Sequence, residues 1–234
     1  MEVIILAGGL GTRLRSVISE IPKCMAPIAG KPFLWYLLKF LTKYNVNRVI
    51  LSVGYLREVI FKWIDNVKEE FPYEIVYAIE EIPLGTGGGI KLGLTKTITN
   101  NVIVLNGDTF FDINLDKLME FHSLHSSSIT LSLKPMQNFN RYGRVIMNDV
   151  DQRIIKFEEK KECKEGLING GIYVINKSEP IFENLTEKFS FETTVLESQC
   201  KFGNIFGIVQ DGYFIDIGIP EDYQNANMFF SLLI

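Results

Sequence analysis

Histidine is nearly missing from this sequence of 234 residues, which holds two, His122 and His125. Cysteine is scarce as well: Cys24, Cys163 and Cys200 are odd in number, widely spaced and free of any Cys-x-x-Cys pair. Together these shortages exclude a disulfide framework and a zinc cage, and they fit a reducing cytoplasm. No apolar run approaches the ~18 residues of a transmembrane helix. The apolar stretch at Val3 is too short for a signal peptide and lacks a basic leader. Excess positive charge is also absent, since 24 Lys and Arg against 28 Asp and Glu leave a net charge of −4. That balance argues against nonspecific nucleic-acid binding, which needs a basic surface. What remains is an ordinary globular composition, 47% hydrophobic and 22% charged, in a chain long enough to bury a large core.

The order of the apolar segments is informative. Short β-branched runs at residues 3–6, 48–53, 73–79 and 102–105 read as buried strands. Between them, "KPFLWYLLKFLTKYN" and "LREVIFKWIDNVKEEF" carry apolar residues at helical spacing, with Pro32 where a first helical turn tolerates it. Alternation of this kind predicts a doubly wound α/β sheet. After about residue 126, "SSITLSLKP", "GRVIMND", "RIIKFEEK" and "INGGIYVIN" read as strands without helices between them, a mixed edge closing over the carboxyl ends of the first strands. "PIFENL" and "SFETTVLESQ" read as short helices and "PEDYQNANMFFSLL" as a final one. No linker, repeat or low-complexity tract divides the sequence, so a single domain over residues 1–234 is expected. The apolar stretches "FLWYLLKFL" and "MFFSLLI" offer a surface for a homodimer.

The stretch "MEVIILAGGLGTRLRS" places glycines directly after the first strand and then two cations, Arg13 and Arg15. Glycine backbone can approach a ligand closely, and a strand, a glycine turn and a cation together make an anion site. Neither standard nucleotide fingerprint fits. Leu14 stands where a dinucleotide site needs its third glycine, and Lys31 precedes Pro32 rather than the Ser or Thr of a P-loop.

The longer stretch "GGLGTRLRSVISEIPKCMAPIAGKP" resembles the signature of the sugar nucleotidyltransferases, which join a sugar 1-phosphate to a nucleoside triphosphate. Gly8, Gly9, Gly11, Thr12, Arg13, Leu14, Pro22, Lys23, Met25 and Pro27 match it, and Cys24 replaces the usual proline. Further along, "EEIPLGTGGGIKLG", "VLNGDTFFDIN", "RYGRV", "KFEEK", "INGGIYVIN" and "FIDIGIPEDY" resemble later segments of the family in the same order. The resemblance implies a Rossmann-like three-layer α/β/α sandwich around a mostly parallel mixed sheet. It also implies one Mg²⁺, held by Asp108 and Asp216.

The same resemblance suggests the division of the site. Leu6, Ala7, Gly8, Gly9, Gly11 and Thr12 would hold the nucleotide together with Asn106 and Gly107, and with Gly85 and Thr86 in a base-reading loop that also includes Leu84 and Gly87. Glu80 or Glu81 could accept hydrogen bonds from guanine. Gly143, Glu159, Lys160, Asn169 and Gly170 would meet the sugar phosphate, although "KFEEKKECKE" also reads as a solvated charged hairpin. Arg13 and Lys23 are the expected catalytic cations, acting by alignment and charge as in phosphoryl transfer generally. A phosphate monoester, with its second pKa near 6, needs no general base. The two histidines, three apart on a polar helix candidate, are therefore expected on the surface. Within the family, "RSVISEIPKCMAPIAGKPFL" and "LGTGGGIK" look most similar to guanylyltransferases, which implies GTP, and among these to enzymes acting on D-glycero-D-manno-heptose 1-phosphate. Mannose 1-phosphate, or a uridylyl, thymidylyl or cytidylyl transfer, is the alternative, with a noncatalytic nucleotide-binding subunit as a rival from another class.

Overall fold

The computed structural model describes residues 1–9 and 21–232. Strand β1 (Glu2–Leu6) lies at the centre of a nine-stranded sheet, parallel to β4 (Arg48–Val53) on one side and to β6 (Asn101–Asn106) on the other. Strand β5 (Glu74–Ile79) extends the parallel half beyond β4. Both faces of β1, β4 and β6 are covered, which is why their sequences are nearly continuous apolar runs instead of alternating ones, while β5 at the sheet edge is half-buried. Val3, Ile5, Val49, Leu51, Ile103 and Leu105 enter one core, while Ile4, Ile50, Val102 and Val104 enter the other. Helices α1 (Phe33–Leu41), α2 (Arg57–Val67), α4 (Leu115–Leu124) and α6 (Pro220–Ser231) pack on the first face. On the second face pack α3 (Gly85–Leu94) and a π-helical turn, Phe191–Leu196, that runs into the short α5 (Glu197–Gln199). The three layers expected from the sequence are present.

The second half of the sheet is antiparallel at its junction. Strand β11 (Cys163–Asn176) pairs with β6, β8 (Ile129–Phe139) and β9 (Arg144–Met147), and β10 (Ile154–Glu158) pairs with β9. Strand β12 (Ile205–Val209), which the sequence reading missed, adds to β8 in parallel. A register shift between Asn169 and Tyr173 divides β11, so its first half leaves β6 and turns toward the carboxyl ends of the parallel strands. Two small ribbons complete the fold: β2 (Pro27–Ile28) with β3 (Lys31–Pro32), and β7 (Thr109–Phe111) with β13 (Phe214–Asp216). Among the described residues no helix is long and apolar enough to cross a membrane.

Two expectations need correction. In α1, Phe33, Leu34, Tyr36, Leu37, Leu38, Phe40 and Leu41 are buried, so "FLWYLLKFL" is core and offers no dimer surface. His122 is not on the surface either. It follows Leu115 and Leu118 at helical spacing on the inward face of α4 and is 1% exposed, its Nδ1 2.9 Å from Thr130 Oγ1. His125 is half-buried and stacks on Phe121.

Burial lowers the His122 pKa to about 4, since a charged imidazole is penalised there. An unfolded histidine titrates near 6.5, so between these values the unfolded chain binds the extra proton and stability is lost as pH falls. The expected outcome is a loss of about 2 kcal/mol between pH 6.5 and 4 attributable to this residue. Urea unfolding at several pH values checks it: His122→Gln should show a shallower acid slope than the wild type. An unchanged slope would remove His122 from the account.

Candidate active site

A cavity of about 800 Å³ opens at the carboxyl ends of β1, β5 and β6. Ligand sites of open α/β sheets gather at this edge. Leu6 at the end of β1 lines it with Ala7, Gly8 and Gly9 that follow, and Asn106 at the end of β6 lines it with Gly107 and Asp108. A Cβ at position 8 would lie 2.5 Å from Glu80 Oε1, so any larger residue there would push the Glu80 carboxylate aside. Glu80 is itself buried, accepting from Ser52 Oγ at 3.0 Å and from the Leu84 backbone N–H at 3.1 Å. Each of its oxygens keeps a lone pair for a ligand. Glu81 points outward, with a side chain 76% exposed and paired with Arg57. Of the two glutamates, Glu80 is therefore the one in the cavity wall.

Leu84 to Gly87 do not form the loop expected from sequence. Leu84 caps α3 and Gly85–Gly87 are its first turn, docked on the segment before Phe191 through Gly87 N–H to Phe189 O and Phe189 N–H to Leu84 O, both 3.0 Å. Gly85 and Thr86 still line the cavity, and Thr86 donates to Glu192 at 2.7 Å.

The two predicted metal ligands come together through a pairing that sequence spacing does not reveal. Asp216 ends β13 and stands opposite Thr109 in the β7–β13 ribbon, and Ile217 N–H donates to the Asp108 carbonyl at 3.0 Å. The strand before Asp108 ends at Asn106, leaving Gly107 and Asp108 in the turn between β6 and β7. Lys23 Nζ reaches both carboxylates, 2.5 Å from Asp108 Oδ2 and 3.5 Å from Asp216 Oδ1. It is carried there by a 3₁₀ turn, Lys23–Met25, closed by the Met25 N–H to the Pro22 carbonyl at 2.8 Å. Cys24 anchors that turn from inside the core. Burial, and secondly the Asp108 charge, push its thiol up to about 12, so it packs as a small apolar residue.

Gly143, Lys160 and Asn169 line the opposite wall. Asn169 donates to the Tyr173 hydroxyl at 2.8 Å and accepts from Gly171 N–H at 3.0 Å, which fixes the β11 bulge. Two expected residues are not in the wall. Glu159 follows the end of β10 and is exposed, while its neighbour Glu158 is held by Lys156 and Lys161. Gly170 is filled space: a Cβ there would meet the Phe111 ring at 2.5 Å, and Gly171 lines the cavity instead. Gly11, Thr12 and Arg13 lie outside the described residues. The sequence reading missed Arg141, Tyr142, Lys188, Glu192 and Asp222, which also line the cavity. Tyr142 stood inside the quoted "RYGRV" and Asp222 inside "FIDIGIPEDY"; Lys188 and Glu192 gave no signal of spacing or pattern.

The Nucleotidyl transferase family model matches residues 2–231. The chain belongs to that family. Nucleotidyl transferases similar to it include the D-glycero-alpha-D-manno-heptose 1-phosphate guanylyltransferases of Aneurinibacillus thermoaerophilus, 50% identical over 97% of this chain and 96% of that one, and of Campylobacter jejuni, 51% identical over 96% and 98%. Among solved structures, HddC from Yersinia pseudotuberculosis superposes with a TM-score of 0.86 at 38% identity, over 98% of this chain and 99% of that one. HddC complexed with GMP-PN superposes with a TM-score of 0.83 at 39% identity over the same shares.

Proposed function

We propose that this nucleotidyl transferase moves GMP from GTP to D-glycero-D-manno-heptose 1-phosphate and releases pyrophosphate. The relatives at 50% and 51% identity support both substrates, and the HddC complex supports a guanine nucleotide. The observation that carries the chemistry is the pair of carboxylates at the end of the sheet, Asp108 and Asp216, with the Lys23 ammonium between them.

The acceptor phosphate is already largely a dianion at neutral pH, so the reaction asks for charge and alignment and not for a base. Both histidines belong to the α4 region, away from the cavity wall. Backbone groups at Gly8 and Gly9 would cradle the triphosphate, with Arg13 meeting the departing pyrophosphate. Glu80, fixed by Ser52 and the Leu84 N–H, would receive the guanine N1–H and exocyclic amine. Lys160 and Asn169 would hold the acceptor from the far wall, and Lys23 would meet the α-phosphate.

Asp108 and Asp216 suit one Mg²⁺: they are hard oxygen donors, both within reach of the Lys23 ammonium, and Mg²⁺ commonly takes one or two carboxylates and completes its shell with phosphates and water. When bound, the ion would neutralise phosphate charge. The direct test is pyrophosphate release with Mg²⁺, pairing GTP, ATP, UTP, dTTP and CTP with heptose, mannose and glucose 1-phosphates. Turnover with GTP and heptose 1-phosphate well above every other pair is expected. Preference for another pair would refute the substrate assignment, and no turnover with any pair would refute the reaction.

A further inference from the structure

Lys23 is placed differently from a residue waiting for phosphate. Its ammonium lies between Asp108 Oδ2 and Asp216 Oδ1, and its side chain is only 11% exposed. Both carboxylates are fixed from behind, Asp216 Oδ1 by Gly218 N–H at 2.7 Å and Asp108 Oδ1 by Thr109 Oγ1 at 3.2 Å. The β7–β13 register brings these two anions to one place, and like charges so placed repel unless a cation joins them.

We infer that the Lys23 ammonium is the resident counter-ion of the carboxylate pair, that a divalent cation binds only by displacing it, and that this exchange turns Lys23 toward the triphosphate. The inference rests on reading Asp108 and Asp216 as the metal ligands. An ammonium 2.5 Å from a carboxylate oxygen and a small divalent ion about 2.1 Å from the same oxygen cannot share the space, and they repel. Affinity for the free ion is thus reduced by the fraction of molecules in which Lys23 leaves the pair. A nucleoside triphosphate relieves the competition twice: it gives the ammonium another anion and supplies oxygens to the metal. Metal and nucleotide therefore bind with positive coupling, and the coupling is reciprocal.

The experiment is titration with Mn²⁺ followed by electron paramagnetic resonance, with and without a non-hydrolysable GTP analogue, on the wild type, Lys23→Met, Lys23→Gln and Lys23→Arg. The wild type should bind Mn²⁺ weakly alone and tightly with the analogue. Lys23→Met and Lys23→Gln should bind free Mn²⁺ about tenfold more tightly, the gain expected if the ammonium covers the pair about nine-tenths of the time, and the coupling to the analogue should shrink. Lys23→Arg, which keeps the cation, should stay near the wild type. Thermal melting identifies whichever neutral variant is folded, and either one suffices. Neutral variants that bind free Mn²⁺ no better than a wild type that does bind it with the analogue would overturn the exchange while leaving the ligand assignment intact. A wild type that binds no Mn²⁺ in either condition would overturn the assignment and the exchange with it.

Discussion

Asp108→Asn is expected to lower Mg²⁺-dependent turnover by about 10³-fold and to leave the protein folded, and Asp216→Asn to do the same. The magnitude follows from several kcal/mol of transition-state charge stabilisation carried by a metal clamped on phosphates, at about 1.4 kcal/mol per decade. The asparagine is close to isosteric, so the loss is one of charge. Folding survives because each aspartate has other supports. In Asp216→Asn the amide oxygen can still accept from Gly218 N–H, and in Asp108→Asn the Ile217 N–H still finds the residue's main-chain carbonyl. Lys23 keeps one anionic partner in either variant. Pyrophosphate release measured against Mg²⁺ concentration, with melting curves alongside, makes the check. Turnover within tenfold of the wild type in a folded Asp108→Asn protein would remove that residue from the metal site. If the two carboxylates serve one ion, their effects will not add and the double variant should be little worse than either single one.

The parts of this fold that were legible in the sequence are those where one local segment carries the whole signal. Strands β1, β4 and β6 are buried on both faces and β5 is a half-buried edge strand, and the apolar runs of all four announced them within a residue or so at either end. The antiparallel strands were found from their turn residues, but their partners were not, and β12 was missed although Gly203-Asn204 and Asp211-Gly212 bound "IFGIV", a short run interrupted by Gly207. The site divides in the same way. Gly8, Asp108 and Asp216 stood in motifs, whereas the β7–β13 register that joins the two aspartates spans about half the chain and has no local trace. Glu159 and Gly170 do not line the cavity, since a motif gives the neighbourhood of a contact and not which residue faces inward: the predicted Lys160 is in the wall, and so is Gly171. His122 was misplaced because its own helix looked polar, while its spacing from Leu115 and Leu118 already set it on the buried side. Lys188 and Glu192 reach the cavity only because α3 docks on the segment they belong to, a contact between residues about a hundred positions apart.

Phe230→Ala is expected to destabilise the protein by about 3–5 kcal/mol, the usual cost of emptying a fully buried aromatic site. Phe230 is 1% exposed and sits at the centre of a ring cluster, with Tyr36 at 4.2 Å, Phe110 at 5.1 Å, Phe229 at 5.2 Å and Phe33 at 6.3 Å between centroids. Edge-to-face pairs of this kind add to the area term, so the upper part of the range applies. The residue also matters for the site. It fastens the end of α6 to α1 and to the β7 strand that follows Asp108. Earlier in the same helix, Tyr223 donates to the Pro27 carbonyl at 2.6 Å, and Asn227 Oδ1 accepts from Ala29 N–H at 2.9 Å. Those two bonds hold the segment that follows the Lys23 turn, and the helix begins just past Asp216. Loosening α6 therefore loosens both the lysine and one carboxylate of the clamp. Urea unfolding of Phe230→Ala measures the stability term, and Phe230→Leu should lose less because much of the volume is kept. A loss under about 1 kcal/mol for the alanine variant would mean that the cluster closes over the gap without it. Below its melting range, Phe230→Ala should require more Mg²⁺ for half-maximal turnover than the wild type, because part of its ensemble no longer holds Asp216 beside Asp108.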